Sequence, residues 1–413
     1  MFKQVFQPVA PSVLTHHFAG LTQGEPLAKD AVRTGNDWED READIVFVGG
    51  GPCGFIAAIL TMEKDPAKKI FFREKQNYSR EQNLKVDLSA FDRVPTTSAI
   101  WPLLEQHRRQ GKGSFYIGIK DLQEKLEEIA KTLGVRIRKG AEWAVNEPEQ
   151  LVEEYPSAKC YVGSDGARSV VRRNIFGDEF HHLKKLGFQA HVNYEVDGVA
   201  KQILADASRG AFRFTDSGKS AISAIRSMNF TLLEERVKGT AVRLIFDLPE
   251  EVFEEMEGAT QRTPFHLNQI PQRLQKDINL WRGVKTRDHG EVSQSDSVTI
   301  TAIKIEFKLS HKVYKVLDAD PSKHFFLLGD AAASFPHRLG FNCGAEGAVV
   351  LSDALSHKSS YKNYSQFVRD LAVSVSDKAE ASQNRVTTWK GAIWLTPMWI
   401  AEQEAEALRQ QVQ

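Results

Sequence analysis

The chain has 413 residues, 41% hydrophobic and 26% charged, an ordinary globular balance long enough for two domains or one domain carrying an insertion. Its 54 Lys and Arg match 54 Asp and Glu, which excludes the basic footprint of a nucleic-acid binder. Three cysteines (Cys53, Cys160, Cys343) cannot pair evenly and no secretory apolar region opens the sequence, so a reducing, cytoplasmic setting is expected.

Residues 1–43 are polar and irregular, with Pro8, Pro11, Pro26 and a His16-His17 pair. They form an N-terminal extension, a tail or a clasp, and the histidines are read as surface rather than metal ligands. Residues 44–55 carry the strongest local signal, Asp-Ile-Val-Phe-Val-Gly-Gly-Gly-Pro-Cys-Gly-Phe. Gly49, Gly51 and Gly54 have the G-x-G-x-x-G spacing between a strand at Ile45–Val48 and a helix through Ile56–Leu60, with Pro52 and Cys53 completing the turn. The first glycine permits the tight turn, the second lets backbone approach a pyrophosphate, and the third lets helix and strand pack closely. The helix start then aims unpaired N–H groups at the phosphates. A second strand over Lys69–Arg73 ends at Glu74, beside Lys75, where a carboxylate can take the ribose hydroxyls of an adenosine. The bland alternatives are an ordinary glycine turn and a surface acid.

Further on, Ile117–Gln123 opens a helix with Leu122, Leu126 and Ile129 inward, a pattern that by itself makes Lys120 a surface residue. Residues 183–312 change texture. Alternating runs at Phe188–Tyr194, Ala221–Ile225, Ala241–Phe246 and Val298–Phe307 predict an antiparallel sheet. Glu250–Glu257 reads as a solvated acidic helix face. Residues 361–413 are helical in pattern. Within them, Trp389, Trp394 and Trp399 sit in a stretch too short and too interrupted, by Lys390 and Pro397, to span a bilayer. It packs onto the body, walls a substrate cavity, or forms a membrane-surface or partner patch. No transmembrane segment is expected, and Cys53 and Cys343 are read as small packing residues.

Two later motifs narrow the reading. Residues 161–172 read Tyr-Val-Gly-Ser-Asp-Gly-Ala-Arg-Ser-Val-Val-Arg, and residues 325–347 contain Leu-Gly-Asp-Ala-Ala, then Pro336, then Gly-Phe-Asn-Cys-Gly. The glycine turn, Asp-Gly-x-x-Ser-x-x-Arg and Gly-Asp-Ala-Ala with Gly-x-Asn-x-Gly, in that order, resemble the single-component FAD-dependent monooxygenases of the p-hydroxybenzoate hydroxylase family. Glu74–Leu84, with Ser79-Arg80 and Asn83, is similar to a run in the flavin domain of the MICAL oxidoreductases.

The resemblance implies an α/β fold: a Rossmann-type FAD-binding domain (44–182 and 313–360), an inserted antiparallel-sheet substrate domain (183–312) and a helical C-terminal segment (361–413). It implies FAD as cofactor, NADPH or NADH as reductant, and O2 and a small, aromatic or electron-rich molecule as substrates, hydroxylated or epoxidised through a flavin C4a-hydroperoxide. Gly329 and Asp330 would hold the ribityl chain. Gly340, Phe341, Asn342, Cys343 and Gly344 would form the turn into a helix whose N-terminus faces the flavin pyrimidine, where a positive helix end favours charge on reduced flavin. Asp165 and Gly166 would serve pyrophosphate, unless they are a simple turn. Arg80 would hold the cofactor phosphates bidentately, with Asn83 beside it. Lys120 would stand where relatives carry arginine. The chain departs from the family at Ala333, where many relatives have histidine, and in the bulkier Pro336–Phe341. A MICAL-like oxidase acting on a protein partner, a non-oxygenating flavin oxidoreductase and a non-catalytic binding module are the alternatives.

Overall fold

A computed structural model describes residues 38–75, 83–108, 113–140, 148–203, 218–335 and 339–379. Strand β1 (Ile45–Val48) is buried at all four positions, as an apolar run without alternation requires of a central parallel strand. The chain turns through the glycines into α1 (Pro52–Lys64), where Pro52 takes a first-turn position that needs no N–H donor. Strand β2 (Ile70–Glu74) lies parallel to β1, from Ile45 opposite Ile70 to Val48 opposite Arg73. This register brings Glu74 to the carboxyl end of the sheet, beside the glycine turn. Strands β3 (Asn83–Asp87) and β4 (Ser114–Gly118) then form an antiparallel pair, with α2 (Trp101–Arg108) between them in sequence. Helix α3 (Ile119–Thr132) buries Leu122 and Leu126 as its spacing predicts. Strand β5 (Arg136–Lys139) adds to β2, α4 (Pro148–Glu154) crosses back, and β6 (Cys160–Gly163) pairs with the other side of β1.

The next section is antiparallel. Strand β7 (Phe180–Glu195) is followed by α5 (Gly218–Ser227), β8 (Thr231–Lys238), β9 (Ala241–Leu248), α6 (Glu250–Glu254), β10 (Phe265–His266), α7 (Gln272–His289) and β11 (Thr299–Ser310). Their sheet runs β10-β11-β7-β9-β8. The chain then returns to the first sheet through β12 (Tyr314–Leu317) and β13 (Asp320–Leu327), giving the order β12-β13-β6-β1-β2-β5. Short β14 (Ala333–Ser334) pairs with β11. Helix α8 (Leu339–Leu355) packs against α1, and α9 covers 361–379.

Two hydrophobic cores follow this division. One joins residues between Ala43 and Ile175 to residues between Leu309 and Ala372, and the other lies between Phe188 and Ile300. The parallel sheet is thus built from two stretches far apart in sequence, and the antiparallel sheet has its own core. Residues 38–43 are fastened to β5: Arg138 pairs with Asp40, and the Arg136 guanidinium sits 5.0 Å over the Trp38 ring. Glu251, Glu254 and Glu255 are exposed around buried Val252, the solvated acidic face expected.

One expected strand is corrected. Ala221–Ile225 lies inside α5, because its buried alanines, Ala221 and Ala224, share one helix face at i, i+3. A five-residue alternation does not separate the two periods. No helix among the described residues is long and apolar enough to cross a membrane.

Candidate functional site

The glycine turn is shaped by what lies against it. Gly49 has φ +93°, and a Cβ there would fall 2.5 Å from the Asp165 Cα, so its side must stay bare for the Asp165 loop to approach. A Cβ on Gly54 would fall 2.7 Å from Ser164 Oγ, which explains the third glycine as a helix–strand packing site. Gly51 is the N-cap of α1 and no side chain caps that helix, leaving its first-turn donors to whatever binds there. Glu74 Oε2 accepts from Gly50 N–H at 2.5 Å, so the carboxylate at the end of β2 is held against the turn.

The Asp165 loop docks through Ser164. Its N–H meets the Val48 carbonyl at 2.8 Å and its Oγ donates to the Gly49 carbonyl at 2.6 Å. Gly166 has φ +83°, and Asp165 Oδ2 accepts from Val170 N–H at 2.6 Å, so the segment is a capped turn. Burial pushes the Asp165 carboxyl above the ordinary range, against hydrogen bonds from Ser169 and the Val170 and Val171 backbone that pull it down. Its other oxygen, Oδ1, is buried with no hydrogen-bond partner, an acceptor that a bound hydroxyl would satisfy. Arg172, which ends the motif, is 3% exposed. Its guanidinium lies 4.1 Å over the Phe180 ring and donates to the Ala167 carbonyl at 3.1 Å.

The third motif meets the first. A Cβ on Gly344 would fall 2.5 Å from Cys53 Sγ and 3.2 Å from the Gly329 Cα. Gly329 has φ +63° and turns the chain into Asp330. A Cβ on Gly340 would fall 2.8 Å from Asp330 Oδ1, so this carboxylate lies against the first turn of α8, where a helix end favours negative charge. Cys53 therefore occupies the junction of α1, the Gly329 turn and α8.

Helix α8 begins at Leu339, so Gly340, Phe341, Asn342, Cys343 and Gly344 belong to its first turns rather than to a loop before it. Glycines in a helix carry a propensity cost, which close packing on Asp330 and Cys53 here requires. Asn342 stitches α8 to β3, accepting from Asp87 N–H at 2.9 Å and donating to the Lys85 carbonyl at 3.1 Å. Phe341 and Cys343 are buried, the former 6.2 Å from the Phe91 ring. Ala333 is buried in β14 opposite Leu309.

Gly49, Gly51, Pro52, Cys53, Gly54, Glu74, Asp165, Gly166, Gly329, Asp330, Gly340 and Gly344 are thus gathered around one seam. Exposed Lys75 follows Glu74. Lys120 is half exposed, its ammonium 3.9 Å from Glu124 one helical turn on, the surface arrangement. Asn83 opens β3 opposite Gly118. Arg80, Pro336, the His16-His17 pair and Trp389–Trp399 lie outside the described residues. Ser164 and Gln123 had no assigned role in the sequence, yet both bond the turn, Gln123 Nε2 donating to the Gly50 carbonyl at 2.8 Å. A residue that grips a backbone carbonyl leaves no spacing pattern to read.

Burial raises the thiol pKa of all three cysteines, to about 11 at Cys160, about 12 at Cys343, and further at Cys53, where Asp330 adds repulsion. Thiolate is the reactive form. The native protein should therefore react with a disulfide reagent at pH 8 at least about 100-fold more slowly than the unfolded chain. A fast native-state thiol would contradict the packing role.

No protein-family model matches the sequence, and no curated protein does. Solved structures match in fold. AlpK is 16% identical, with 89% of this chain and 76% of that one covered at a TM-score of 0.53. The OxyS anhydrotetracycline hydroxylase from Streptomyces rimosus is 15% identical, with 86% and 72% covered at a TM-score of 0.50. The mixed α/β architecture, with its parallel and antiparallel sheets, is therefore one that a hydroxylase also adopts.

Proposed function

We propose that this chain is an FAD-dependent monooxygenase that uses NADPH or NADH and O2 to hydroxylate or epoxidise a small aromatic or electron-rich molecule. The observation carrying this reading is the meeting of three glycine motifs, from residues 49–54, 164–166 and 329–344, at contacts too close for any Cβ. These glycines bring sequence-distant turns together beside the uncapped first turn of α1, the helix end that favours the phosphates of a dinucleotide. The similarity in fold to a hydroxylase agrees with it.

The residues present fit FAD. The uncapped first turn of α1 would hold the pyrophosphate, Glu74 the adenosine ribose, and Asp330 with the first turn of α8 the ribityl and flavin end. The orphaned Asp165 Oδ1 offers one further acceptor. Bound FAD would supply electron transfer from the nicotinamide and activation of O2. The protein's part is to orient the ring and exclude water from it. On this reading residues 44–182 and 313–360 form the cofactor domain and 183–312 the substrate domain. The MICAL-like alternative rests on Ser79, Arg80 and Asn83, of which the first two lie outside the described residues, and no contact among the described residues favours it.

The test is the visible spectrum of the purified protein, then NADPH-driven bleaching and O2 uptake across a panel of phenols. A protein that takes up no FAD sinks the reading, and bleaching without product-linked O2 uptake would make it a non-oxygenating oxidoreductase. Asp330→Ala should lower FAD retention at least about tenfold, the scale of one lost bond to a charged group. Asp165→Ala, which removes a turn cap, should lower it less. Equal and normal flavin content in both variants contradicts the assignment.

A further inference from the structure

The peptide groups of the glycine turn are gripped from outside it, and from two sides. Ser164 takes the Val48 and Gly49 carbonyls. The next carbonyl, Gly50, goes to Gln123 Nε2 on α3 at 2.8 Å, while Gly50 N–H goes to Glu74 at 2.5 Å. Gln123 is 7% exposed. Its amide orientation is fixed by its partner, since a carbonyl can only accept.

In a planar trans peptide the C=O of one residue and the N–H of the next point in opposite directions. Drawing the Gly50 oxygen toward α3 therefore turns the Gly51 N–H away from α3. Gly51 is the uncapped N-cap residue of α1, so this N–H joins the first-turn donors of that helix. The consecutive glycines at 49–51 have no intrinsic preference for this arrangement, because glycine enters both halves of φ space with little cost. The flipped Gly50–Gly51 peptide would present a carbonyl oxygen where an anion belongs.

We infer that Gln123 is a positioning residue whose carboxamide locks the Gly50–Gly51 peptide, so that Gly51 N–H and the first-turn donors of α1 converge on the pyrophosphate of the bound dinucleotide. This rests on the flavin reading above. The residue touches neither flavin nor substrate. It acts through one backbone carbonyl.

The test is titration of apoprotein with FAD and, separately, with ADP, which carries the pyrophosphate and adenosine but no flavin. Gln123→Leu removes the donor at similar volume. Its dissociation constants for FAD and ADP should rise by the same factor, about 10- to 100-fold, the range for a bond that orients a charged contact. The melting temperature of its apoprotein should stay near that of wild type. If that variant does not fold, Gln123→Met, unbranched and equally without a donor, is read in the same way. Unchanged constants, or a loss for FAD without one for ADP, would overturn the inference. Wild-type protein that binds neither ligand would instead sink the flavin reading itself.

Discussion

Gly49→Ala should purify colourless. The residue sits at φ +93°, where a Cβ costs about 1–2 kcal/mol from backbone sterics alone. The added carbon would also meet the Asp165 Cα at 2.5 Å and its N at 2.7 Å. Both are backbone atoms, so no rotamer change relieves the clash and the Asp165 loop must withdraw. Withdrawal breaks the Ser164 bonds to the Val48 and Gly49 carbonyls, each worth about 1 kcal/mol net. The sum, about 3 kcal/mol or more, falls on the turn that would grip the pyrophosphate. Bound FAD, read from the ratio of 450 nm to 280 nm absorbance, should drop below about a tenth of wild type, since 1.4 kcal/mol is tenfold in binding. Gly198→Ala is the control. That glycine also has positive φ, at +84°, but nothing lies within 4 Å of a Cβ there, so the change should leave flavin content intact. Normal yellow protein from Gly49→Ala would mean that the Asp165 loop and the glycine turn do not form one site.

The parts legible in the sequence are those where geometry forbids alternatives. Gly49 and Gly54 announce themselves because no other residue fits against the Ser164-Asp165 segment, and Glu74 because the length of a βαβ unit fixes where the second strand ends. An antiparallel sheet that includes Phe188–Tyr194 and Ala241–Phe246 follows from runs of period two, while which strands pair is read only from the fold. The rest depends on contacts with no periodicity. Asn342 looks like a loop residue by its neighbours, yet it lies in α8 because its amide is spent on Lys85 and Asp87, far away in sequence. Gln123 looks like a helix-face glutamine, and only the fold brings the Gly50 carbonyl to it. Ala221–Ile225 is short enough to fit a strand or a helix, and packing decided for the helix.

The same limit applies to the charge that holds the antiparallel section together, and it gives the second large effect. Lys285 is 1% exposed, with its ammonium 2.6 Å from Glu235 Oε1 and 2.5 Å from the Lys201 carbonyl. Glu291 Oε2 stands 3.2 Å away, inside ion-pair range but off hydrogen-bond geometry. The two carboxylates hold the strap after β7 through backbone donors, Ile203 N–H to Glu235 at 2.6 Å and Lys201 N–H to Glu291 at 2.5 Å. Removing the ammonium leaves two buried negative charges facing each other. Lys285→Met should therefore destabilise the protein by about 3–5 kcal/mol, the cost of breaking a buried pair on one side. Buried Trp281, whose Nε1 donates to Glu235 at 3.4 Å, reports the loss as an earlier fluorescence transition in denaturant. Replacing all three charges, Glu235→Gln, Lys285→Met and Glu291→Gln together, should recover much of the stability, because no lone charge then remains inside. A single Lys285→Met within about 1 kcal/mol of wild type, the level of an exposed pair, would show that water reaches this cluster and that the strap is held by packing instead.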